Sequence, residues 1–214
     1  AYHFNESSGT TASDSSGNGR DGTLVGFPGT AWRLSGAFAG PRNALSFDGV
    51  DDYVNAGASS PAFSNNLTVE AWVRTTDTRT ARDLVAWGST DTCIGDNAQF
   101  RIDNGVLNFG MHDIHAASCG DYDNYWESVV AAGTMIATGD WTHVALVKSG
   151  NSITLYVNGQ SAASGTINKT LTVDRMAIGS LFYAGSVVDA YLAGEMDEVR
   201  IWSTARTVDE IREN

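Results

Sequence analysis

The chain is poor in cysteine, in proline and in basic residues. Its 214 residues include 2 cysteines, 3 prolines and 13 lysines or arginines, against 25 aspartates or glutamates. The formal net charge is therefore −12, and such an acidic surface repels nucleic acids, anionic membranes and strongly anionic polysaccharides. We expect none of these as a partner, whereas neutral glycans, cations and basic protein surfaces remain open.

Long apolar runs are absent as well. No stretch approaches the roughly 20 residues that a membrane-spanning helix needs, so the sequence predicts no membrane insertion. Residues 1–4 have neither a basic flank nor a long apolar segment, and we expect no signal peptide there. Because Tyr2 and Phe4 flank the polar His3 as in a strand, we expect a module of a longer protein.

Short strands account for most of the pattern. In residues 67–74, apolar residues alternate with polar or bulky ones, which is the period of a strand with one face on a core. We predict further strands over 2–4, 45–47, 84–87, 100–102, 106–109, 141–147, 153–157, 176–178 and 196–202. Thr207 and Glu210 have the capping-box spacing of a short C-terminal helix. The sequence therefore predicts an all-β fold, a single two-sheet antiparallel jelly-roll sandwich over residues 1–214.

Two acidic, glycine-bearing segments have two interpretations each. Asp48, Asp51 and Asp52 surround a turn at Gly49, and they form either a solvated hairpin or a strand end that holds Ca²⁺. Residues 14–22 are rich in glycine, serine, asparagine and aspartate, which suits a flexible surface loop or a cation-binding loop.

The two cysteines, Cys93 and Cys119, also leave two alternatives, namely buried free thiols or a disulfide. Both lie in a polar, glycine-bearing region, which favours the disulfide and therefore an oxidising, extracellular compartment. In the chain-entropy model, closing a loop of this size would stabilise the fold by about 3.5 kcal/mol.

Four stretches carry a family resemblance. They are Leu45–Val54 (LSFDGVDDYV), Leu67–Val73 (LTVEAWV), Trp141–Ala145 (WTHVA) followed by Leu155–Gly159 (LYVNG), and Gly194–Trp202 (GEMDEVRIW). In this order and spacing they resemble the laminin-G-like, concanavalin A-like lectin-glucanase jelly-roll domains.

The resemblance implies two packed, curved sheets and an extracellular module of a larger adhesin, receptor or polysaccharide-degrading enzyme. It also implies a structural Ca²⁺ where the first strands meet the closing strand. Carried over residue by residue, the metal ligands are Asn5, Asp48, Gly49 and Asp197, and the nearby polar loop adds Asp14.

The closing strand invites comparison with glycoside hydrolases of this family, which carry a Glu-x-Asp-x-x-Glu motif. Glu195 and Asp197 match that motif, but Arg200 stands where the second glutamate belongs. A retaining mechanism needs both a nucleophile and an acid/base carboxylate. We therefore expect no enzymatic activity, and we interpret Asp197 as a metal ligand or structural acceptor.

An aromatic, acidic segment is the best candidate for ligand binding. Aromatic rings stack on the C–H faces of sugars, while nearby acids and amides hydrogen-bond to hydroxyls. The predicted ligand-binding residues are Trp87, Asp121, Tyr122, Asp123, Tyr125 and Trp126, with Asn124, Asp96, Phe182 and Tyr183 as candidate neighbours. The alternative is that these aromatic residues fill the second face of the sandwich.

Together these patterns predict a non-catalytic, lectin-like carbohydrate-binding or adhesion module of a secreted or cell-surface protein, stabilised by structural calcium. A glycan or polysaccharide is the expected partner. The first alternative is a module that binds a protein or only spaces other domains, and a polysaccharide hydrolase or lyase comes after it.

Overall fold

The structure is a computed structural model that describes residues 1–29, 31–34, 36–38, 43–57, 63–91, 96–113, 125–168, 171, 173–183 and 186–213, with the side chains of residues 113, 125, 183 and 186–188 left out. The strands are β1 (Thr11–Ala12), β2 (Gly22–Val25), β3 (Trp32–Arg33), β4 (Ala44–Asp48), β5 (Tyr53–Gly57), β6 (Asn66–Arg74), β7 (Arg82–Gly88), β8 (Asn97–Asp103), β9 (Val106–Asp113), β10 (Tyr125–Met135), β11 (Thr142–Ser149), β12 (Ser152–Val157), β13 (Gln160–Thr166), β14 (Arg175–Ile178), β15 (Leu181–Tyr183), β16 (Ser186–Val188) and β17 (Ala193–Trp202). One helix, α1 (Val208–Arg212), follows them.

The strands form two large antiparallel sheets and a small hairpin. The larger sheet has the order β1-β2-β5-β14-β7-β8-β9-β10, and the smaller has the order β13-β12-β11-β6-β17-β4-β3. Strands β15 and β16 pair only with each other and lie next to β7. The predicted all-β, two-sheet sandwich with a short C-terminal helix is confirmed. Among the described residues, no helix is long or apolar enough to span a bilayer.

The core lies between the two sheets and follows the period-two pattern of the strands. Every second residue points inward, so apolar positions on facing strands meet. The inward residues include Leu67, Val69, Ala71 and Val73 on β6, Phe100 and Ile102 on β8, and Leu107, Phe109 and Met111 on β9, all without exposed surface. Burial of each such large apolar side chain contributes about 1.5–3 kcal/mol.

The outer side of β6 is covered by the C-terminal segment. The hydroxyl of Thr68 donates to the Thr204 carbonyl at 2.8 Å, and Arg206 Nη1 lies 2.6 Å from Glu70 Oε1. The predicted capping box is present at α1, where the side chains of Thr207 and Glu210 each accept from the other's backbone N–H. The C-terminal segment is therefore fastened to the polar side of β6 at Thr68 and Glu70.

The chain differs from the sequence pattern near its beginning. Tyr2 makes isolated bridges to Val199 and Asp14 in place of a full strand, because Phe4 has φ 51° and turns the backbone away. The polar segment after it contains β1 and β2. These two strands extend the larger sheet past β5, although the composition there predicted only a loop.

Candidate functional site

The outer side of the larger sheet carries a row of polar side chains on β7, β8 and β9. From Asn97 to Asp103, polar residues alternate with core residues and so project outward. The strand register places Asp83 and Asn108 on either side of Arg101. We call the following group the polar face: Asp83, Asn97, Gln99, Arg101, Asn108, His112 and Trp126.

A chain of hydrogen bonds along β8 orients the middle of the polar face. Gln99 Nε2 donates to Asn97 Oδ1 at 2.7 Å, and Arg101 Nη1 donates to Gln99 Oε1 at 2.8 Å. Arg101 Nη2 donates to Asp103 Oδ2 at 3.2 Å. The guanidinium group is therefore held at two of its nitrogens, and its side chain is 14% exposed.

Trp126 lies across this row from β10. Its side chain is 37% exposed, and its ring centroid is 4.6 Å from Arg101 Cζ. The ring of His112 meets it edge-on at 5.8 Å. A Cβ built on Gly110 would come within 1.9 Å of Trp126 Cζ2, so the ring occupies the place of a side chain on β9. A cation, an aromatic edge and a glycine together fix a partly exposed indole on the sheet.

Three neighbouring members of the polar face have unused hydrogen-bonding atoms. Arg101 Nε, Asn108 Oδ1 and both carboxylate oxygens of Asp83 are buried and have no partner among the described residues. A buried polar group without a partner costs about 1–3 kcal/mol, and native structures usually satisfy such groups with water or a ligand. The row thus contains one buried donor and several buried acceptors without partners, spread over three adjacent strands.

The charge state of Asp83 is shifted by its surroundings. The side chain has no exposed surface, and burial raises its pKa to about 8. The guanidinium of Arg101 opposes this shift, whereas the nearby carboxylate of Asp189 adds to it. Asp83 is therefore largely protonated near neutral pH, which lets its carboxyl group donate as well as accept hydrogen bonds.

The predicted ligand-binding residues have different outcomes. Trp126 lies on the polar face, and His112 lies beside it on β9. The side chain of Tyr125 and all of Asp121, Tyr122, Asp123 and Asn124 lie outside the described residues. Cys93 and Cys119 lie outside them too, so the disulfide stays a prediction.

The structure corrects the prediction for Trp87. This side chain is 1% exposed and packs in the core, where its ring lies 5.5 Å from that of Phe63. It pairs with Ala98 on the inward side of β7 and β8, so it cannot stack on a ligand from solvent. The candidate neighbours Asp96 and Phe182 are buried as well, at 0% and 7% exposed.

A second cluster of possible ligating atoms lies at the turn between β4 and β5. Asp48, Asp51 and Asp52 each bring an oxygen within 4.8 Å of the other two. Gly49, at φ 79°, makes the turn, and Asp52 Oδ2 accepts from the Asp48 N–H at 2.9 Å. Asp52 is 1% exposed, and its Oδ1 has no partner among the described residues. Burial raises the pKa of Asp52 to about 6, and the charges of Asp48 and Asp51 add to that effect.

The five predicted metal ligands do not come together. The register pairs Asp48 with Ala193 and Leu45 with Met196, so Asp197 lies about 13 Å from Asp48 along the strands. Asp197 instead accepts from the Ala37 N–H at 2.9 Å. The prediction that Asp48 and Asp197 share one site is wrong, because Asp197 lies four positions further along β17 than the partner of Asp48.

Asn5 and Asp14 lie apart from the acidic turn and have their own contacts. The Asn5 carbonyl accepts from the Asn43 amide at 3.4 Å. Asp14 accepts from the amino group of Ala1 at 2.8 Å and from the N–H groups of Ser16 and Arg20 at 3.0 Å. Burial works to raise the pKa of Asp14, but these bonds outweigh it and hold the pKa below its ordinary value. Asp14 therefore uses its carboxylate to hold the conformation of its own loop.

The carboxylates that resemble the hydrolase motif are engaged by partners. Glu195 forms an ion pair with Arg74, and Asp197 accepts a backbone hydrogen bond. Arg200, at the position of the missing glutamate, lies 2.7 Å from Glu198. These contacts suit structural roles for the closing strand.

Solved structures share this fold at low sequence identity. Domain 4 of AbnA, a GH43 extracellular arabinanase from Geobacillus stearothermophilus solved with arabinotriose, has a TM-score of 0.62 at 21% identity, covering 94% of this chain and 91% of that one. The CBM40 of Ruminococcus gnavus IT-sialidase, solved with α2,3-sialyllactose, has a TM-score of 0.52 at 18% identity, covering 70% and 82%. The binding domain of Paraclostridial Mosquitocidal Protein 1 has a TM-score of 0.62 at 16% identity, covering 97% of this chain and 49% of that one.

The family follows from the sequence itself. Among curated proteins, no sequence matches this chain. The model of the concanavalin A-like lectin/glucanases superfamily matches residues 48–212, which extend from the acidic turn into α1. This match confirms the resemblance carried by the strand motifs. The chain belongs to the concanavalin A-like lectin/glucanases superfamily.

Proposed function

We propose that this domain is a non-catalytic carbohydrate-binding module of a secreted or cell-surface protein, and that it binds a neutral glycan at the polar face. The observation that carries the proposal is the position of Trp126. Its partly exposed ring stacks on the guanidinium of Arg101, whose side chain is also partly exposed. An aromatic platform beside a hydrogen-bond donor suits a sugar, which has apolar C–H faces and hydroxyl edges.

The chemistry of the polar face favours an uncharged ligand. Arg101 already forms an ion pair with Asp103, so its partly exposed guanidinium needs no second anion and can donate to an uncharged hydroxyl group. The protonated carboxyl of Asp83 adds no negative charge near neutral pH. A formal net charge of −12 disfavours acidic polysaccharides over the rest of the surface.

The structural comparisons support a saccharide as the ligand. The arabinanase domain was solved with arabinotriose and the sialidase CBM40 with sialyllactose, so this sandwich fold carries saccharide sites in both. Both belong to larger enzymes, an arabinanase and a sialidase. A binding module without catalysis agrees with the engaged carboxylates of Glu195 and Asp197 on β17.

Calcium at the acidic turn is part of the proposal. The residues fit a hard cation, because Asp52 Oδ1 is buried without a partner among the described residues and two further carboxylates lie within 4.8 Å. Asp48, Asp51 and Asp52 would hold the ion, which would neutralise their mutual repulsion and fasten β4 to β5. Its role in this position is structural.

A glycan array with the wild-type domain and Trp126→Ala tests the proposal. We expect the wild type to bind one or more neutral glycans and the variant to lose binding at the polar face. Leu34→Ala is the matched control, because Leu34 is 82% exposed and lies on the far sheet next to β3.

Two results would contradict the proposal. If Trp126→Ala binds as tightly as Leu34→Ala, the polar face is not the site. If the wild type binds no glycan, a protein-interaction module becomes the better interpretation. Release of soluble sugars from a polysaccharide would show an enzyme.

A further inference from the structure

We propose a second saccharide-binding site on the opposite side of the sandwich, where a groove runs between the N-terminal segment and the end of β17, with Trp202 as its stacking platform. The inference rests on the proposed function in that both sites take neutral saccharides. The groove has a volume of about 690 Å³, which falls within the range of about 300–1,000 Å³ typical of small-ligand sites. Its lining includes His3, Ser15, Ser16, Asn18, Arg200 and Trp202.

Trp202 is a partly exposed tryptophan held in a fixed position. Its side chain is 39% exposed, and Arg206 Cζ lies 4.5 Å from its ring centroid. Arg206 is itself anchored, since its Nη1 lies 2.6 Å from the buried Glu70 carboxylate. A cation in this position stabilises the indole and limits its rotation, which lowers the entropy cost of stacking a ligand on it.

Two further side chains that line the groove, those of His3 and Arg200, share one carboxylate. His3 Nδ1 lies 2.6 Å from Glu198 Oε2, and Arg200 Nη2 lies 2.7 Å from the same oxygen. The Glu198 side chain is only 4% exposed, so one buried carboxylate orients both groups. The exposed parts of His3 and Arg200 are 40% and 22% of their side chains, which leaves surface on each for a ligand.

The backbone at Glu198 is unusual. This residue has φ 52° at the bulge where the register of β17 against β6 shifts, between Asp197 and Arg200. A non-glycine residue in this conformation costs on the order of 1–3 kcal/mol and persists only where its surroundings hold it. The bulge turns Glu198 toward His3 on the neighbouring segment, which an uninterrupted strand would not do.

The opposite wall of the groove is a loop whose conformation is already fixed. Ser16 Oγ donates to Asp14 Oδ2 at 2.8 Å, and Asn18 Nδ2 donates to Ser16 Oγ at 2.8 Å. The Arg20 N–H also donates to Asp14 Oδ2, at 3.0 Å. Asn18 is exposed and lines the groove, so its amide group is available to a ligand. The guanidinium of Arg200, the imidazole of His3 and the amide of Asn18 together offer donors and acceptors for the hydroxyls of a sugar.

Charge balance points to a neutral ligand. The cations beside the groove are each matched by a buried carboxylate, Arg200 by Glu198 and Arg206 by Glu70. An acidic sugar would compete with these carboxylates, whereas an uncharged sugar would leave the pairs intact. Sites on opposite sheets would let one domain engage two chains of a polysaccharide and gain avidity on an insoluble surface.

The test is a titration of the 214-residue domain by isothermal calorimetry with arabinotriose, xylotriose and cellotriose. The proteins are the wild type, Trp126→Ala, Trp202→Ala, the double variant and Leu34→Ala. We expect two equivalents bound by the wild type and by the control, one by each single tryptophan variant and none by the double variant. Asn18→Ala changes an exposed loop and no strand. We expect this variant, like Trp202→Ala, to bind one equivalent.

The two proposals fail in different ways. A wild type that binds one equivalent, unchanged in Trp202→Ala and in Asn18→Ala, overturns the second site and leaves the polar face intact. Binding that is lost in Trp202→Ala and unchanged in Trp126→Ala supports the groove and overturns the polar face. A wild type that binds none of the three trisaccharides overturns the second site as stated, and the glycan array then decides the proposed function alone.

Discussion

The indole ring of Trp126 lies directly over Gly110, in space that the side chain of any other amino acid at position 110 would fill. A Cβ built on Gly110 would come within 1.9 Å of Trp126 Cζ2 and 2.3 Å of Cη2. Real Cβ atoms do not approach other atoms so closely, so the position of the ring depends on the glycine. Both residues are therefore needed for the proposed sugar-binding surface: Trp126 supplies the ring, and Gly110 leaves the space for it.

Gly110→Ala is therefore expected to displace Trp126 and weaken glycan binding. The methyl group would push the ring away from Arg101, which lies 4.6 Å from its centroid. Calorimetric titration of the bound glycan measures the loss, and tryptophan fluorescence reports the change around the ring. Gly29→Ala is the control, since a Cβ there meets nothing within 4 Å. Equal affinity in the two variants would show that the ring position does not matter for binding.

The stability of the fold is expected to fall as pH rises toward 8, because of Asp83. Its folded-state pKa of about 8 lies above its ordinary value of 3.8, with burial as the largest cause. Arg101 and Arg82 lower that pKa, while Asp189 and Asp103 raise it. The folded protein thus holds a proton that the unfolded chain releases. This contribution is complete below the ordinary value and is lost as pH rises through the folded value, at up to about 1.4 kcal/mol per unit.

Asp83→Asn removes that titration, so its melting temperature should fall less than that of the wild type between pH 5 and pH 9. Differential scanning calorimetry across this range gives the comparison. Asp140→Asn, in an exposed turn, serves as the matched control and should follow the wild type. Parallel curves for all three proteins would mean that Asp83 is not protonated in the fold.

Calcium is expected to raise the melting temperature of the wild type, and Asp52→Asn is expected to remove most of that effect. A ligand that binds only the native state stabilises it by about 2.7 kcal/mol at a hundredfold excess over its dissociation constant. Asp52 is the buried member of the acidic turn, and its free Oδ1 is the atom that the substitution changes. Thermal unfolding with Ca²⁺ and with a chelator measures the effect. If neither Ca²⁺ nor the chelator changes the melting temperature of the wild type, a structural calcium at this turn is excluded.

The fold could be predicted because the core obeys a simple period. Alternation in 67–74 located β6, and the paired motifs at 141–159 located β11, which lies beside it, and β12, which lies beside β11. The pattern did not locate β10, because Tyr125–Met135 mixes apolar and polar residues at an edge of the sheet. Edge strands have a partner on one side only, so their sequence is less constrained.

The candidate site could be predicted only in part. Aromatic and acidic composition pointed to Trp126, but the same criterion wrongly selected Trp87, because composition does not reveal which way a strand faces. Alternation from Asn97 to Asp103 was a usable signal for Gln99 and Arg101, since polar residues occupy every second position. The pairing of Arg101 with Asn108 depends on the register of β8 and β9, which emerges only from the folded sheet.

The two tryptophans first assigned to one site should separate cleanly by experiment. Trp87 is 1% exposed in the core, so Trp87→Ala should cost about 3–5 kcal/mol of unfolding free energy through lost burial and a cavity. Trp126 is 37% exposed, so Trp126→Ala should cost far less stability while abolishing glycan binding at the polar face. Urea denaturation measures the first quantity and calorimetric titration the second. Because Trp87 contacts no solvent, any of its variants that stays folded should still bind. A Trp87 variant that is fully stable yet fails to bind would return that residue to the site.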